Sequence, residues 1–271
     1  MRLIFTLVFS SFSLLTWAQG WVPMGARSMS MANASVALSD VWAYHNNPGA
    51  LGDVDEFSVG VSYENRFLLK ELQSQGFAAV VPLKTGVLSV GGQTYGFTDF
   101  RTYRVGMGYS MKLSERFFAG VQMNYQGLQL SEGYGRADAL SGEAGVYAKI
   151  TDQLTLGASV NNIGRAKLSD FQDDRFSTVM RLGTSYHFSK RVMIALEVEK
   201  DLEYNPRLKA GIEYELIKQL KFRGGVATGP TELTFGMGYQ FKEFEIGCGT
   251  SYHQLLGWSP HFSLIFQRDK K

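Results

Sequence analysis

Apolar and polar residues alternate along most of the chain beyond residue 56, with a period of two rather than 3.6. Residues 57–64 place aromatic and β-branched side chains at odd positions and serine, glycine and glutamate at even ones. The same alternation returns over 192–199, 207–215 and 232–241. Successive side chains of a β-strand point to opposite faces, so the pattern predicts strands with one apolar and one polar face.

Turn signals divide this region into about fourteen predicted strands, an even number, as single-chain bacterial barrels have. They are placed at 56–64, 75–83, 86–95, 101–111, 116–127, 138–150, 153–162, 176–188, 191–200, 206–215, 218–228, 231–241, 243–252 and 260–268. Proline fits this division, because Pro82, Pro206, Pro230 and Pro260 are predicted at strand ends or turns.

The predicted connections alternate between tight turns and longer loops, of which the longest are 65–74, 128–137 and 163–175. Short periplasmic turns and longer extracellular loops are typical of outer-membrane barrels. The chain is therefore predicted to be all-β, a transmembrane antiparallel β-barrel over 56–268 in the cell outer membrane, with both termini periplasmic and a short tail at 269–271. The alternative is a secreted β-sandwich, in which the apolar faces would form a protein core.

The leader and the composition agree with export to a membrane. Residues 1–18 have the charge, the short apolar stretch and the small final residues of a secretory signal peptide. A single cysteine, Cys248, excludes an internal disulfide. The formal net charge of +2 gives no reason to expect nucleic acid as a partner, so outer-membrane lipid is the expected surroundings.

Catalytic and metal-binding patterns are weak. The histidines His45, His187, His253 and His261 show no metal-ligand spacing. Cys248 falls on the apolar face of its predicted strand. We therefore expect no enzyme activity, no metal site and no cofactor.

The polar face of the predicted strands carries both charges and many glycines. The inward charges predicted to line the lumen are Arg104, Glu143, Arg181, Glu197, Lys209, Glu213, Arg223 and Glu232. Inward glycines leave room for a plug or a ligand, or they merely permit the curvature of the barrel wall. The sequence does not decide between these two interpretations.

Residues 19–55 lack the alternation and form a separate N-terminal segment ahead of the barrel. This segment resembles the plug, or hatch, of the FadL-like outer-membrane family, and most closely its PorV/PorQ branch, which is associated with type IX secretion. The residues that carry the resemblance are Gly25-Ala26-Arg27, the run 31–37, Asp40, Trp42 and Asn47-Pro48-Gly49-Ala50-Leu51. They are similar to the family patterns Gly-x-Arg, Met-Gly-Gly-Ala and Asn-Pro-Ala-x-Leu.

The sequence departs from these patterns at two places. Ala32-Asn33 stands where two glycines are usual, and Gly49 stands where alanine is usual. The resemblance implies that 19–55 folds into the barrel from its periplasmic side. The predicted hatch residues are Gly25, Arg27, Asn47, Pro48 and Gly49.

Two functions follow from the resemblance. PorV/PorQ-like members are components or adaptors of envelope complexes that handle secreted proteins, whereas FadL-like members transport long-chain fatty acids or other hydrophobic compounds through a hatch and a lateral opening. Short loops with apolar tips favour the adaptor, with protein partners in an outer-membrane complex, and leave transport of a lipid or fatty-acid ligand as the alternative. The predicted partner surface consists of Phe67, Leu68, Leu69, Leu256 and Trp258.

Overall fold

The computed structural model describes residues 23–131, 135–168 and 175–268. The predicted signal peptide and the tail at 269–271 lie outside the described residues, as do parts of the loops 128–137 and 163–175. The strands are β1 Ser58–Asn65, β2 Gln73–Pro82, β3 Val87–Gly96, β4 Phe100–Ser114, β5 Phe117–Leu130, β6 Arg136–Lys149, β7 Leu154–Asn161, β8 Val179–His187, β9 Val192–Asp201, β10 Arg207–Ile217, β11 Leu220–Ala227, β12 Glu232–Phe241, β13 Phe244–His253 and β14 Gly257–Gln267.

These strands form a closed antiparallel barrel in which each strand pairs with its neighbours in sequence. The first and last strands close it, with a ladder that runs from Ser58 opposite Gln267 to Glu64 opposite His261. Both ends of the barrel sequence therefore lie at the same rim, the one that carries the short turns. The predicted fourteen-strand barrel is confirmed, and the β-sandwich alternative is wrong.

The outer face of the barrel is apolar. Large side chains at outward positions are widely exposed, including Leu140 at 66% and Met123 at 64%. A water-soluble sandwich would bury such residues against a second sheet, whereas a barrel in lipid presents them to acyl chains. None of the described helices is long and apolar enough to cross a membrane.

Two of the differences between predicted and observed strand boundaries have a clear physical cause. β8 begins at Val179 rather than 176, because Asn162 and Thr178 draw this stretch into a loop: the Asn162 side-chain amide donates to the carbonyl of Phe176 at 2.8 Å, and the Thr178 hydroxyl donates to the carbonyl of Asn162 at 3.1 Å. Pro260 lies inside β14 and not at its end. At that level the ladder between β1 and β14 has already ended, its last pair being Glu64 and His261, and a proline is tolerated where a strand has a partner on one side only.

The N-terminal segment lies inside the barrel and supplies most of the protein's apolar core. It contains two short helices, α1 Ala26–Ser30 and α2 Ala43–Asn46, followed by a 3-10 helix Pro48–Asp53. Trp42, Tyr44 and Leu51 are completely buried between this segment and the wall. Two further 3-10 turns, Arg66–Leu68 and Lys70–Leu72, form the first long loop. We call residues 23–57 the plug.

Candidate functional site

The first fixed point of the plug is Gly25, whose backbone has φ +94°. A Cβ atom at this position would lie 2.3 Å from the ring of Trp42, so only glycine fits. The N–H of Gly25 donates to the hydroxyl of Ser62 at 3.2 Å, and the N–H of Ala26 donates to the hydroxyl of Ser263 at 3.2 Å. The entrance to α1 is therefore tied to both strands at the β1–β14 seam.

Arg27 fastens the plug to the charged wall. Its guanidinium donates to both carboxylate oxygens of Glu213 at 3.0 Å each and to Asp40 at 3.2 Å. Burial opposes the charge of Arg27, but the carboxylates of Glu213 and Asp40 outweigh it and raise the pKa of this guanidinium. Glu213 also accepts from Arg223 at 2.7 Å, and Arg223 donates to Glu245 at 2.9 Å. The bidentate contact between Arg27 and Glu213 therefore links the plug to a network of charged side chains on three strands.

The next turn of the plug contains the two residues that replace the usual pair of glycines. Ala32 has φ +54° and Asn33 has φ +59°, both in the left-handed region that glycine adopts without strain. Beyond the turn, one carboxylate oxygen of Glu197 accepts the N–H groups of Ser35 and Val36 at 2.8 and 2.9 Å. The strained turn is thus held by a buried carboxylate of β9.

Asn47 forms the corner between α2 and the 3-10 helix. It is fully buried, its side-chain amide donates to the carbonyls of Val36 at 2.7 Å and Val146 at 3.0 Å, and its oxygen accepts the N–H of Gly49 at 2.9 Å. The carbonyl of Pro48 accepts the hydroxyl of Ser110 at 2.6 Å. A Cβ at Gly49 would lie 2.5 Å from the backbone of β6, which explains the glycine.

Hydrogen bonds or ion pairs join the plug to nearly every strand around the wall. They reach β1, β2, β3, β4, β6, β7, β8, β9, β10, β12 and β14. The plug therefore crosses the lumen from side to side, and Trp42 and Leu51 are completely buried within it.

The structure places all the predicted luminal charges on inward positions and pairs them. Arg104 contacts Glu143, and Arg207 lies 3.6 Å from Glu232. On the opposite wall Lys209 donates to Glu197 at 3.1 Å. A second carboxylate, Glu199, accepts from Lys209 at 2.6 Å and from Arg181 at 3.0 Å. Most of these side chains are buried, so they compensate one another and do not line an open pore.

At the short-turn end the plug borders a polar cavity of about 930 Å³. Arg27 and Asp40 line it, together with an ion pair in which Lys149 lies 2.5 Å from Asp53. Clusters of metal-ligating side chains are absent from the described residues.

Towards the long-loop end, the wall formed by β5 and β6 changes from polar to apolar. Glu143 accepts the side-chain amides of Asn124 at 2.8 Å and Asn161 at 2.7 Å, and these groups form a polar floor. Beyond this floor the inward positions carry Gln126 opposite Ala139 and then Leu128 opposite Ala137. We call the part of the lumen bordered by Ala137, Ala139 and Leu128 the upper chamber.

The ladder between β6 and β7 is incomplete next to the upper chamber. Its last pair is Ala144 opposite Val160, although β6 continues to Arg136. β7 ends at Asn161 because Asn162, with φ +55°, turns the chain out of the sheet. The carbonyl of Gly142 still accepts the N–H of Ile163 at 2.9 Å, and beyond this bond residues 136–141 of β6 have no ladder partner on this side among the described residues. Gly142 itself faces outward, and a Cβ atom there would meet nothing within 4 Å. We call the unpaired edge at 136–141 the β6 notch. The sequence predicted β6 over 138–150 and β7 over 153–162, so the notch could have been inferred from the unequal lengths of these two predicted strands.

The residues of the predicted partner surface come together at the long-loop rim. The N–H of Phe67 donates to the hydroxyl of Ser259 at 3.0 Å, and its ring packs edge-on against His253. The first and last loops are therefore neighbours. Their apolar tips are exposed, with Leu68 at 62% and Leu256 at 56%, and Leu69 and Trp258 are also exposed.

The fold is that of the FadL-like outer-membrane barrels. The chain is similar to the CymD monoaromatic hydrocarbon channel, with a TM-score of 0.71 and 13% identity over 93% of this chain and 100% of that chain. It is similar to the toluene transporter TbuX of Ralstonia pickettii, with a TM-score of 0.63 and 16% identity over 90% of this chain and 97% of that chain.

A FadL homologue of Pseudomonas aeruginosa gives a TM-score of 0.61 with 14% identity over 93% of this chain and all of that chain. No protein-family model matches the chain, and no curated protein matches its sequence. At these identities the likeness establishes the architecture, and the matched structures give no support to the PorV/PorQ branch.

Proposed function

We propose that the protein is a plugged outer-membrane channel that delivers small hydrophobic compounds sideways into the membrane through the β6 notch. The observation that carries this proposal is the edge of β6 beyond Gly142, which has no ladder partner among the described residues and lies beside the apolar side chains of the upper chamber. The similar structures include a hydrocarbon channel and a toluene transporter, which favours the same class of solute. The location in the outer membrane, with the short turns periplasmic, belongs to this proposal.

A lateral route suits the chemistry of the lumen. An apolar solute in the upper chamber meets the buried Arg104–Glu143 pair below it and the completely buried plug beyond. Displacing bonds to buried charged groups costs several kcal/mol, on the order of the cost of burying an unpaired charge. Passing Gly142 into the acyl chains leaves those bonds intact and moves the solute from one apolar environment to another.

The plug then has the role of a seal. Its contacts with the wall on all sides keep water and polar solutes from crossing while the lateral route works above it. The similar hydrocarbon channel and toluene transporter favour a cargo that is compact and poorly soluble in water, of the size of a substituted benzene.

Filling the notch tests the route. The substitution Gly142→Phe places a ring in open space on the outer wall, and we expect it to lower the uptake of a labelled monoaromatic compound into proteoliposomes at least fivefold. The matched control is Gly224→Phe, an outward glycine of β11 whose added Cβ would make only ordinary contacts at 3.7 and 3.8 Å. Equal uptake by both variants and the parent would refute the lateral route.

The exposed rim formed by Leu68, Leu69, Leu256 and Trp258 favours a second candidate, the adaptor function. Charge substitutions at these positions should then remove proteins that co-purify from native membranes in mild detergent. If the barrel folds and the co-purifying proteins are unchanged, this surface does not bind a partner.

A further inference from the structure

Charged side chains are rare on the outer face of the described strands, and they are concentrated at one place. At outward positions the strands carry Arg101, Arg136, Asp138 and Lys200. The first three lie on β4 and β6, the two strands on either side of β5, and Lys200 lies on β9. A charge on the lipid face is unfavourable near the middle of the bilayer and nearly free at its boundary. This concentration therefore marks a polar feature of the membrane boundary.

The strand register places the cluster at the upper edge of the apolar belt. Arg101 lies opposite Gln129, and Gln129 lies opposite Arg136, so the two arginines share one transverse row. One row further towards the short-turn end, Tyr103 lies opposite Gly127 and Gly127 opposite Asp138.

Beyond that second row the outward positions become apolar. Val105 lies opposite Tyr125, which lies opposite Leu140, and Met107 lies opposite Met123. The arginines thus stand where lipid headgroups meet acyl chains.

Arg136 is held in one orientation by its neighbours. Its guanidinium lies 2.7 Å from a carboxylate oxygen of Asp138, donates to the hydroxyl of Tyr125 at 3.2 Å, and sits 5.1 Å above the ring centre of Tyr103. The hydroxyl of Tyr103 bonds the same carboxylate across Gly127, where a side chain would collide with both groups. A guanidinium has five N–H donors, and these contacts do not use all of them.

Arg101 completes a site for a doubly ionised group. It is exposed, and within the described part of the chain it has no ion-pair partner. It lies two strands from Arg136, a separation of roughly 10 Å at the backbone, which two long arginine side chains can close around one group. Asp138 compensates one of the two positive charges, so the cluster keeps a net charge of +1. Arginine binds phosphate oxygens through paired N–H donors.

We propose that Arg101 and Arg136 bind the phosphate group of a lipid headgroup in the outer leaflet. The acyl chains of that lipid would lie on the apolar rows that begin at Val105 and Tyr125. The arginines stand directly above exposed apolar surface. The occupant is therefore a lipid and not a free anion, because only an amphipathic molecule contacts the arginines and the apolar surface at the same time. This inference goes beyond the proposed transport and rests only on the proposed orientation, with the long loops outside.

Retention of a defined lipid tests the proposal. The folded barrel is reconstituted in nanodiscs that contain a phosphorylated glycolipid or its dephosphorylated form, and bound lipid is measured by native mass spectrometry. We expect Arg101→Gln and Arg136→Gln each to weaken retention of the phosphorylated form about fivefold, the effect of one arginine near a charged membrane surface. The matched control is Lys200→Gln, which removes the other outward charge of the described strands.

Each alternative outcome would overturn the proposal. Equal retention of the two glycolipids would show that the phosphate is not recognised, and an equal loss in Lys200→Gln would show that the place is not specific. If the detergent-solubilised barrel binds inorganic phosphate as tightly as it binds the phosphorylated glycolipid, the ligand of the two arginines is a free anion and not a lipid. If Arg136→Gln fails to fold, as seen by its electrophoretic mobility with and without heating, Arg101→Gln decides, because Arg101 makes no ion pair within the described chain.

Discussion

Replacing Asn47 by alanine removes the corner that holds the plug against the wall. The change deletes the donor to the carbonyls of Val36 and Val146 and the acceptor of the N–H of Gly49, at 2.7, 3.0 and 2.9 Å. All three bonds are made by a fully buried side chain. At a net contribution of about 0.5–1.5 kcal/mol for each bond, the plug should lose about 2–4 kcal/mol of docking stability.

Hydrogen exchange of the plug amides measures this loss. A change of 2–4 kcal/mol corresponds to a roughly 30- to 700-fold rise in the opening equilibrium of the region around residues 43–53. The barrel strands should keep their protection, because their ladders do not involve Asn47 except at the carbonyl of Val146.

The matched control is Asn162→Ala. Asn162 also uses both ends of its amide, towards the carbonyl of Phe176 at 2.8 Å and the N–H of Ala166 at 2.9 Å, but in the loop at the opposite rim. Its replacement should leave plug protection unchanged. The reasoning is refuted if Asn47→Ala alters plug protection by less than about threefold, or if Asn162→Ala alters it equally.

Three further predictions concern the same plug. Ala32→Gly should stabilise it by about 1 kcal/mol, because Ala32 has φ +54°, and equal denaturant midpoints would contradict this. Burial lowers the pKa of His45 to about 3, below its unfolded value of about 6.5. The stability supplied by neutral His45 is therefore complete above pH ~6.5 and is lost as the pH falls towards 3. The protease sensitivity of the plug should rise in acid in the parent protein and should change little with pH in His45→Gln. Glu197→Gln should loosen residues 32–37 and lower the stability of the plug by about 3 kcal/mol, because an amide cannot both accept the two N–H groups and pair with Lys209. Unchanged proteolysis at residues 32–37 would count against this role of Glu197.

The barrel could be predicted from the sequence because lipid and lumen act on alternate residues. In a strand such as β1, every second side chain faces lipid and must be apolar, and the others face a polar interior. The period of two is therefore visible without knowledge of the strand register. The presence of the plug came from the resemblance of its motifs to those of a known family, since its helices α1 and α2 are too short to be stable alone.

Other parts of the candidate site depend on contacts between distant residues. Glu197 and Ser35 are 162 positions apart, and nothing local to either residue indicates their bond. The β6 notch arises because Asn162 binds the backbone of Phe176, which shortens β7 and β8. The alignment of Arg101 with Arg136 requires the register of three strands, and a shift of one residue would turn both side chains inward.

The central claim is that an apolar solute passes from the upper chamber to lipid at the β6 notch. Photolabelling with a diazirine-substituted monoaromatic compound, followed by mass-spectrometric mapping of the adducts in proteoliposomes, tests this route most directly. The account predicts adducts concentrated at 137–142 of β6 and on Leu128 of β5, reduced in Gly142→Phe and unchanged in Gly224→Phe. Adducts spread evenly over the lipid-facing strands, or found along the plug instead of beside Gly142, would contradict it.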